Sequence, residues 1–285
     1  MINKLHKAAY DVLMTADPRE KSRLASELYA EAQTGFERDD ETITPIEPVP
    51  DPGRPAKPEL VRPRDLAQRN IHSQEGRVVL AHALAHIEFN AINIALDAVY
   101  RFRGQPDQYY LDWLRVAAEE GTHFVLLEDY LNDHGAAYGD YPAHNGLWEM
   151  VRRTDDDLMI RMALVPRVFE ARGLDVTPGM QRKLAAVGDN RLVSILDVIY
   201  REEIGHVEIG TRWFRYVCEQ RGLPPRETFR DLLRKYMSGR IRGPYDELGR
   251  MEAGFTAEEI EDLKTLEEET LSRLDPQKDD KGSKA

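Results

Sequence analysis

The sequence has one cysteine, no long apolar run and no apolar leader, and each of these absences excludes a class of protein. Cys218 alone cannot form a disulfide within the chain, which is typical of proteins in a reducing compartment. No apolar run approaches the roughly 20 residues of a membrane span. Residues 1–7 lack the apolar core of a signal peptide. We therefore predict a cytoplasmic protein without a membrane partner.

Basic residues are also fewer than acidic residues. The chain has 39 Lys and Arg residues against 51 Asp and Glu residues, and its formal net charge is −12. Broad binding to nucleic acid or to an anionic membrane needs a basic surface. The arginines and lysines between residues 226 and 242 form a local cluster in sequence, which we interpret as a solvated helix face. A nucleic-acid partner is not expected.

No pattern typical of strands or of a nucleotide-binding fold is present. Apolar and polar residues do not alternate over any sustained stretch, as they do in half-buried strands. A Rossmann glycine pattern and a cysteine cluster are both missing, so any reductant has to come from an external electron donor. From Ser73 onward the apolar residues recur at helical spacing. The sequence predicts an all-α fold.

The prolines, glycines and helical stretches predict five regions. Residues 1–39 form an N-terminal helical arm, in which Asp17 caps a second helix that begins at Pro18. Residues 40–72 form a linker or strap with seven prolines between positions 45 and 63. The remaining regions are a four-helix bundle (73–224), a C-terminal helical extension (225–272) and a disordered tail (273–285).

Local start and stop signals set the limits of the four bundle helices. The predicted helices run from Ser73 to Arg103, from after Pro106 to His134, from Thr154 to Gly173 and from Asp189 to Arg221. Thr154 is expected to cap the third helix and Pro166 to kink it, and Thr177-Pro178 is expected to start a separate short helix. The long loop 135–148 predicts a cover over a site.

Two of these helices carry the spacing Glu-x-x-His on their apolar faces, as Glu120/His123 and Glu203/His206. This spacing places a carboxylate and an imidazole one turn apart, pointing the same way. Such groups are costly in an apolar stripe unless something binds them. The motif therefore predicts two ligands to one metal ion on each helix.

The other two helices each place one carboxylate on their apolar face, at Glu88 and Glu170. The full predicted set is Glu88, Glu120, His123, Glu170, Glu203 and His206. This is the ligand set of ferritin-like dinuclear bundles. Two divalent cations would neutralise four carboxylates that otherwise repel each other, and the donors suit iron or manganese. The alternative is a plain bundle in which these groups form buried ion pairs with Arg101, Arg161 or Arg201.

Further polar groups accompany the predicted ligands. A row on the first bundle helix holds His82, His86, Asn90, Asn93 and Asp97. We interpret it as facing solvent, or as hydrogen-bonding to the ligands. Tyr200, one turn before Glu203, is a candidate radical site, although a core aromatic is the simpler interpretation.

The sequence also resembles a known family, catalogued as domain of unknown function 455. Five segments carry the resemblance: His82–Glu88, Glu120–Phe124, Tyr138–Trp148, Val165–Pro178 and Glu203–Gly210. The likeness extends over most of the chain, to about residue 270. It implies a ferritin-like bundle with a di-iron centre and a distant kinship with a tRNA hydroxylase, and it supports Glu170 as a ligand.

These observations lead us to expect a di-iron carboxylate oxidoreductase. Two iron ions, two manganese ions or a mixed pair would activate dioxygen to hydroxylate or oxidise a small organic substrate. One alternative is a ferroxidase or iron-storage protein, although the arm, strap and extension would obstruct a storage shell. A tRNA-modifying hydroxylase is the other alternative, and the acidic charge argues against it. A homodimer is compatible with the sequence.

Overall fold

Regular structure in the described residues is helical. The computed structural model describes residues 2–39, 46–66, 70–237 and 239–274, and over these ranges it contains no strand, only two isolated bridges. The all-α class is confirmed. The chain divides into two compact units: Met1–Asp156 with Met180–Glu202, and Asp157–Gly179 with Glu203–Ala285. The five predicted regions stay a prediction.

Five α-helices lie in the described residues of the first unit before position 157. They are α1 (Leu5–Leu13), α2 (Pro18–Ala32), α3 (Gln74–Arg101), α4 (Asp107–Asp133) and α5 (Gly146–Arg152). α3 packs along α4, while α1 packs on α3 and α2 on α4. The predicted cap of α2 is confirmed, since the Asp17 side chain accepts a hydrogen bond from the N–H of Glu20, and Ser73 caps α3 in the same way by accepting from the N–H of Gly76.

A fully buried lysine joins the N-terminal arm to the strap and to α3. The ammonium group of Lys21 donates to the carbonyl oxygens of Leu13, at 2.9 Å, and Gly53, at 2.6 Å. Its third hydrogen bond goes to the side-chain oxygen of Asn93. Three acceptors satisfy all three donors of the ammonium group. Lys21 therefore holds three distant parts of the chain at one point.

Helix α3 is more apolar than the sequence led us to expect of any segment. An 18-residue window of Gln74–Arg101 is apolar enough for a membrane span by length and composition alone. However, 78% of this window is buried inside the protein. Such burial is typical of the core helix of a soluble protein.

The third predicted bundle helix differs from the structure. It consists of α6 (Leu158–Leu164), a π-helical segment (Val165–Glu170) and α7 (Ala171–Ala186). Asp157 caps α6 instead of Thr154, whose hydroxyl donates to the carbonyl of Met150 at 2.9 Å. The helix does not end at Gly173, and Thr177-Pro178 lies inside α7 rather than starting a new helix. The predicted kink at Pro166 takes the form of the π-helical segment.

Four further α-helices follow α7 in the described residues. They are α8 (Asn190–Gln220), α9 (Pro225–Tyr236), α10 (Glu247–Glu252) and α11 (Ala257–Leu274). Asp189 caps α8 through a 3.1 Å hydrogen bond from the backbone N–H of Leu192. The division between the two units falls within α8, between Glu202 and Glu203. The predicted disordered tail lies outside the described residues from position 275 on, as do linker residues 40–45 and 67–69.

An arginine anchors the π-helical segment in the second unit. Arg167 is fully buried, and its guanidinium donates to Glu259 at 2.6 Å. The guanidinium carbon lies 4.0–4.8 Å from the ring centres of Phe214, Phe229 and Phe255. Burial lowers the pKa of Arg167 to about 10, which leaves it charged at neutral pH. The ion pair therefore fixes the segment that ends at Glu170.

Candidate metal centre

Three of the predicted ligands meet between α3 and α4 in the first unit. Glu88 of α3 and Glu120 and His123 of α4 are buried, and one ligand atom from each lies within 4.8 Å of the others. His123 Nδ1 lies 3.2 Å from Glu120 Oε2 and 3.5 Å from Glu88 Oε2. Two ligands about 2.1 Å from one ion and roughly at right angles lie about 3 Å apart. We call these three residues the α3–α4 cluster, and its donor set and spacing fit a metal ion.

Small and aromatic residues next to the ligands allow close packing around this cluster. Gly121 lies between the two α4 ligands, and a Cβ atom there would lie only 3.0 Å from Ser22 of α2. Glycine at this position lets α2 pack directly over the motif. Phe89 and Phe124, each next to a ligand in sequence, pack against each other with ring centres 6.0 Å apart. The three ligands themselves are buried, with exposed fractions of 3% for Glu88 and 0% for Glu120 and His123.

The electrostatics of the cluster favour added positive charge. Burial and the neighbouring Glu120 raise the pKa of Glu88 well above its usual value. Burial alone would lower the pKa of His123, but hydrogen bonds to Glu120, Glu202 and Glu88 hold that pKa well above its usual value. Two carboxylates in an apolar environment thus attract a cation, whether it is a proton or a metal ion.

One partner of this cluster was missed in the sequence. Glu202, on α8 in the same unit, accepts a hydrogen bond at 2.8 Å from Nε2 of His123. Its side chain is 31% exposed, whereas the His123 side chain is fully buried. Sequence spacing gave no sign of this contact, because the two residues lie 79 positions apart. The signal available was the position of Glu202 directly before a predicted ligand.

The other three predicted ligands belong to the second unit. Glu203 and His206 of α8 are buried, and Nδ1 of His206 lies 3.7 Å from Glu203 Oε2. Glu170 is buried at the end of the π-helical segment. α8 packs closely on this segment at Gly210, where an added Cβ would lie 2.3 Å from the ring of Pro166. Each helix thus buries its predicted ligands, and the complete set of six stays a prediction.

The polar row on α3 does not face solvent. All five of its residues are buried: His82, His86, Asn90, Asn93 and Asp97. The loop after α4 covers the first part of the row, since the N–H of Gly139 donates to His82 at 2.9 Å and the Tyr138 hydroxyl lies 2.8 Å from His86 Nδ1. Burial lowers the pKa of His86 to about 4. The predicted cover therefore packs on the histidine row.

Tyr200, the candidate radical site, is half-buried on α8. Its proposed role stays a prediction.

The fold and the buried carboxylate–histidine cluster define the class as an all-helical protein that could hold a metal ion. The chain belongs to the family described as "Protein of unknown function (DUF455)", whose model matches residues 14–261. It is similar to an uncharacterized protein of Haemophilus influenzae, with 42% identity over 285 residues covering 96% of this chain and 98% of the relative. No solved structure matches the chain at a significant level.

Proposed function

We propose that this protein is a cytoplasmic, ferritin-like metalloprotein that binds a pair of iron or manganese ions and uses dioxygen to oxidise an organic substrate. The observation that carries the proposal is the α3–α4 cluster, in which two carboxylates and an imidazole lie within coordinating distance in a buried, apolar environment. The sequence supplies the second half of the proposed centre, because Glu170, Glu203 and His206 repeat the same donor types.

The residues have distinct roles in this proposal. The carboxylates of Glu88 and Glu120 would bind a divalent cation through their oxygen atoms and offset its charge, while the imidazole of His123 would add one nitrogen donor. The burial of all three side chains separates the cluster from bulk water. Iron bound there would supply the electrons that reduce dioxygen. A small organic substrate and an external electron donor complete the reaction.

Metal loading followed by oxygen tests the proposal. Wild-type protein is freed of metal, loaded anaerobically with ferrous iron, and separated from free metal before elemental analysis. We expect about two ions per chain in the wild type and fewer in Glu120→Gln. Glu119→Gln is the matched control, because Glu119 is the preceding residue of α4 but is 25% exposed and pairs with Arg115.

Mixing the loaded protein with oxygenated buffer then distinguishes oxygen activation from iron binding alone. Oxygen activation predicts a transient absorption band in the visible region that is absent in Glu120→Gln. A wild-type chain that binds no iron, or that binds iron without any oxygen-dependent spectral change, contradicts the proposal. Size-exclusion chromatography distinguishes a monomer or homodimer from the large shell that an iron-storage protein would form.

A further inference from the structure

The two ring nitrogens of His123 have different surroundings. Nδ1 faces the carboxylates of Glu120 and Glu88, at 3.2 and 3.5 Å, whereas Nε2 lies 2.8 Å from Oε2 of Glu202. A nitrogen that binds a metal ion must offer a lone pair, so the proton of a neutral imidazole has to lie on the other nitrogen. The hydrogen bond to Glu202 requires that proton to be on Nε2. The geometry therefore leaves the Nδ1 lone pair for the metal.

We propose that Glu202 is a positioning residue of the metal centre: its carboxylate accepts the Nε2–H of His123 and so fixes the ring orientation that directs Nδ1 toward Glu88 and Glu120. This inference rests on the proposed function, because it assumes that His123 is a ligand. Carboxylates that hold ligating histidines in this way orient the ring and strengthen it as a donor.

Exposure separates the role of Glu202 from that of the ligands. Its side chain is 31% exposed, whereas those of Glu88 and His123 are 4% and 0% exposed. Water reaches part of the Glu202 carboxylate, so desolvation costs this group less than it costs the buried ligands, and its oxygen accepts the ring N–H. Successive helix residues also point about 100° apart, so Glu202 and Glu203 occupy different faces of α8. Glu202 therefore acts on the cluster through His123.

Two measurements on matched variants test this role. The first records the downfield imidazole N–H resonance of His123 in metal-free protein labelled with ¹⁵N-histidine and assigned with His123→Gln. The second is anaerobic titration with ferrous iron. Glu202→Ala should lose the protected Nε2–H resonance and bind ferrous iron about 10- to 100-fold more weakly. Glu202→Gln, whose amide oxygen still accepts the hydrogen bond, should keep the resonance and most of the affinity.

Glu119→Ala is the control, since Glu119 has a similar exposed fraction of 25%, and it should match the wild type in both measurements. If Glu202→Ala does not fold, Glu202→Asp takes its place in both measurements. This variant keeps a carboxylate, but its side chain is one methylene too short for the hydrogen bond to His123. Unchanged iron affinity in the variant that loses the hydrogen bond overturns the positioning role while leaving the proposed function intact. A wild-type protein that binds no iron overturns both, and the resonance still reports the hydrogen bond.

Discussion

The buried ion pair between Arg167 and Glu259 makes a sharp prediction about stability. Glu259→Gln removes the charge that faces the guanidinium while leaving the shape of the side chain almost unchanged. The amide oxygen of Gln can still accept the hydrogen bond that Glu259 receives at 3.0 Å from the N–H of Thr256, so the cap of α11 is kept. The substitution therefore removes the buried counter-charge of Arg167 together with one acceptor oxygen, and with it the charge in the weaker 3.3 Å contact to Arg215.

The expected magnitude follows from burial. Arg167 is fully buried and Glu259 is 2% exposed, and removing one partner of such a pair costs about 3–5 kcal/mol. In a chain of this size 1 kcal/mol corresponds to about 2–4 °C in Tm, so we expect Tm to fall by about 6–20 °C. The aromatic rings around the guanidinium offset only part of this cost.

Thermal denaturation followed by circular dichroism measures the effect, and an exposed pair with one partner on α11 is the control. Arg226 of α9 donates two hydrogen bonds of 2.7 and 2.9 Å to Asp262 of α11, but the Arg226 side chain is 45% exposed. Asp262→Asn should change Tm far less, because water screens an exposed pair. If Glu259→Gln shifts Tm no more than Asp262→Asn, burial does not strengthen this pair and our reasoning is refuted.

Three further predictions concern packing, pH and metal. Gly210→Ala should destabilise the protein by about 1–3 kcal/mol through its clash with Pro166, whereas Gly173→Ala, with no atom within 4 Å of the new Cβ, should be neutral or stabilising in the same denaturation assay. Burial lowers the pKa of His6, which lies 2.8 Å from the carbonyl of Val99, so the unfolded chain binds the proton more tightly. Stability should therefore fall as pH drops below about 6.5, and His6→Gln should weaken the dependence of Tm on pH between 7 and 5. Removing bound iron with a chelator should lower the free energy of unfolding, by about 2.7 kcal/mol if free iron had stood at 100 times its Kd, and Tm should fall with it. An unchanged Tm after proven removal would contradict specific binding to the folded state.

The helices with strong local signals were predicted well from the sequence. Asp17 caps α2 as expected, and Ser73 and Asp189 cap α3 and α8 at the predicted starts of these helices, because a capping side chain and the N–H group that it accepts from are only a few residues apart. The same locality explains the error in the third helix. Pro166 and Pro178 are helix breakers by local rules, but the π-helical segment accommodates the first and the second lies inside α7.

In the candidate site, the burial of the ligands could be predicted from the sequence, whereas their hydrogen-bond partners could not. A stripe of apolar residues was enough to predict that Glu88, Glu120 and His123 are buried. It could not predict Glu202, because that hydrogen bond depends on how α8 packs in the first unit. The row that contains His86 was interpreted as facing solvent or as hydrogen-bonding to the ligands. Its contact with Tyr138 could not be predicted, because Tyr138 lies 52 positions away in the covering loop. Long-range partners leave no periodic pattern in a sequence.

The π-helical segment Val165–Glu170 lets the chain hold one residue more than an uninterrupted α-helix would hold between α6 and α7. A π-turn contains one residue more than an α-turn, so deleting a single residue here would convert the segment to ordinary helix without opening a gap. The side chains of α7 would keep their phase around the axis, because the deletion removes the residue that the wider turn accommodates. The same deletion inside α7 would instead rotate every later side chain by about 100°. A one-residue deletion should therefore be tolerated better in this stretch than in the regular helix that follows it.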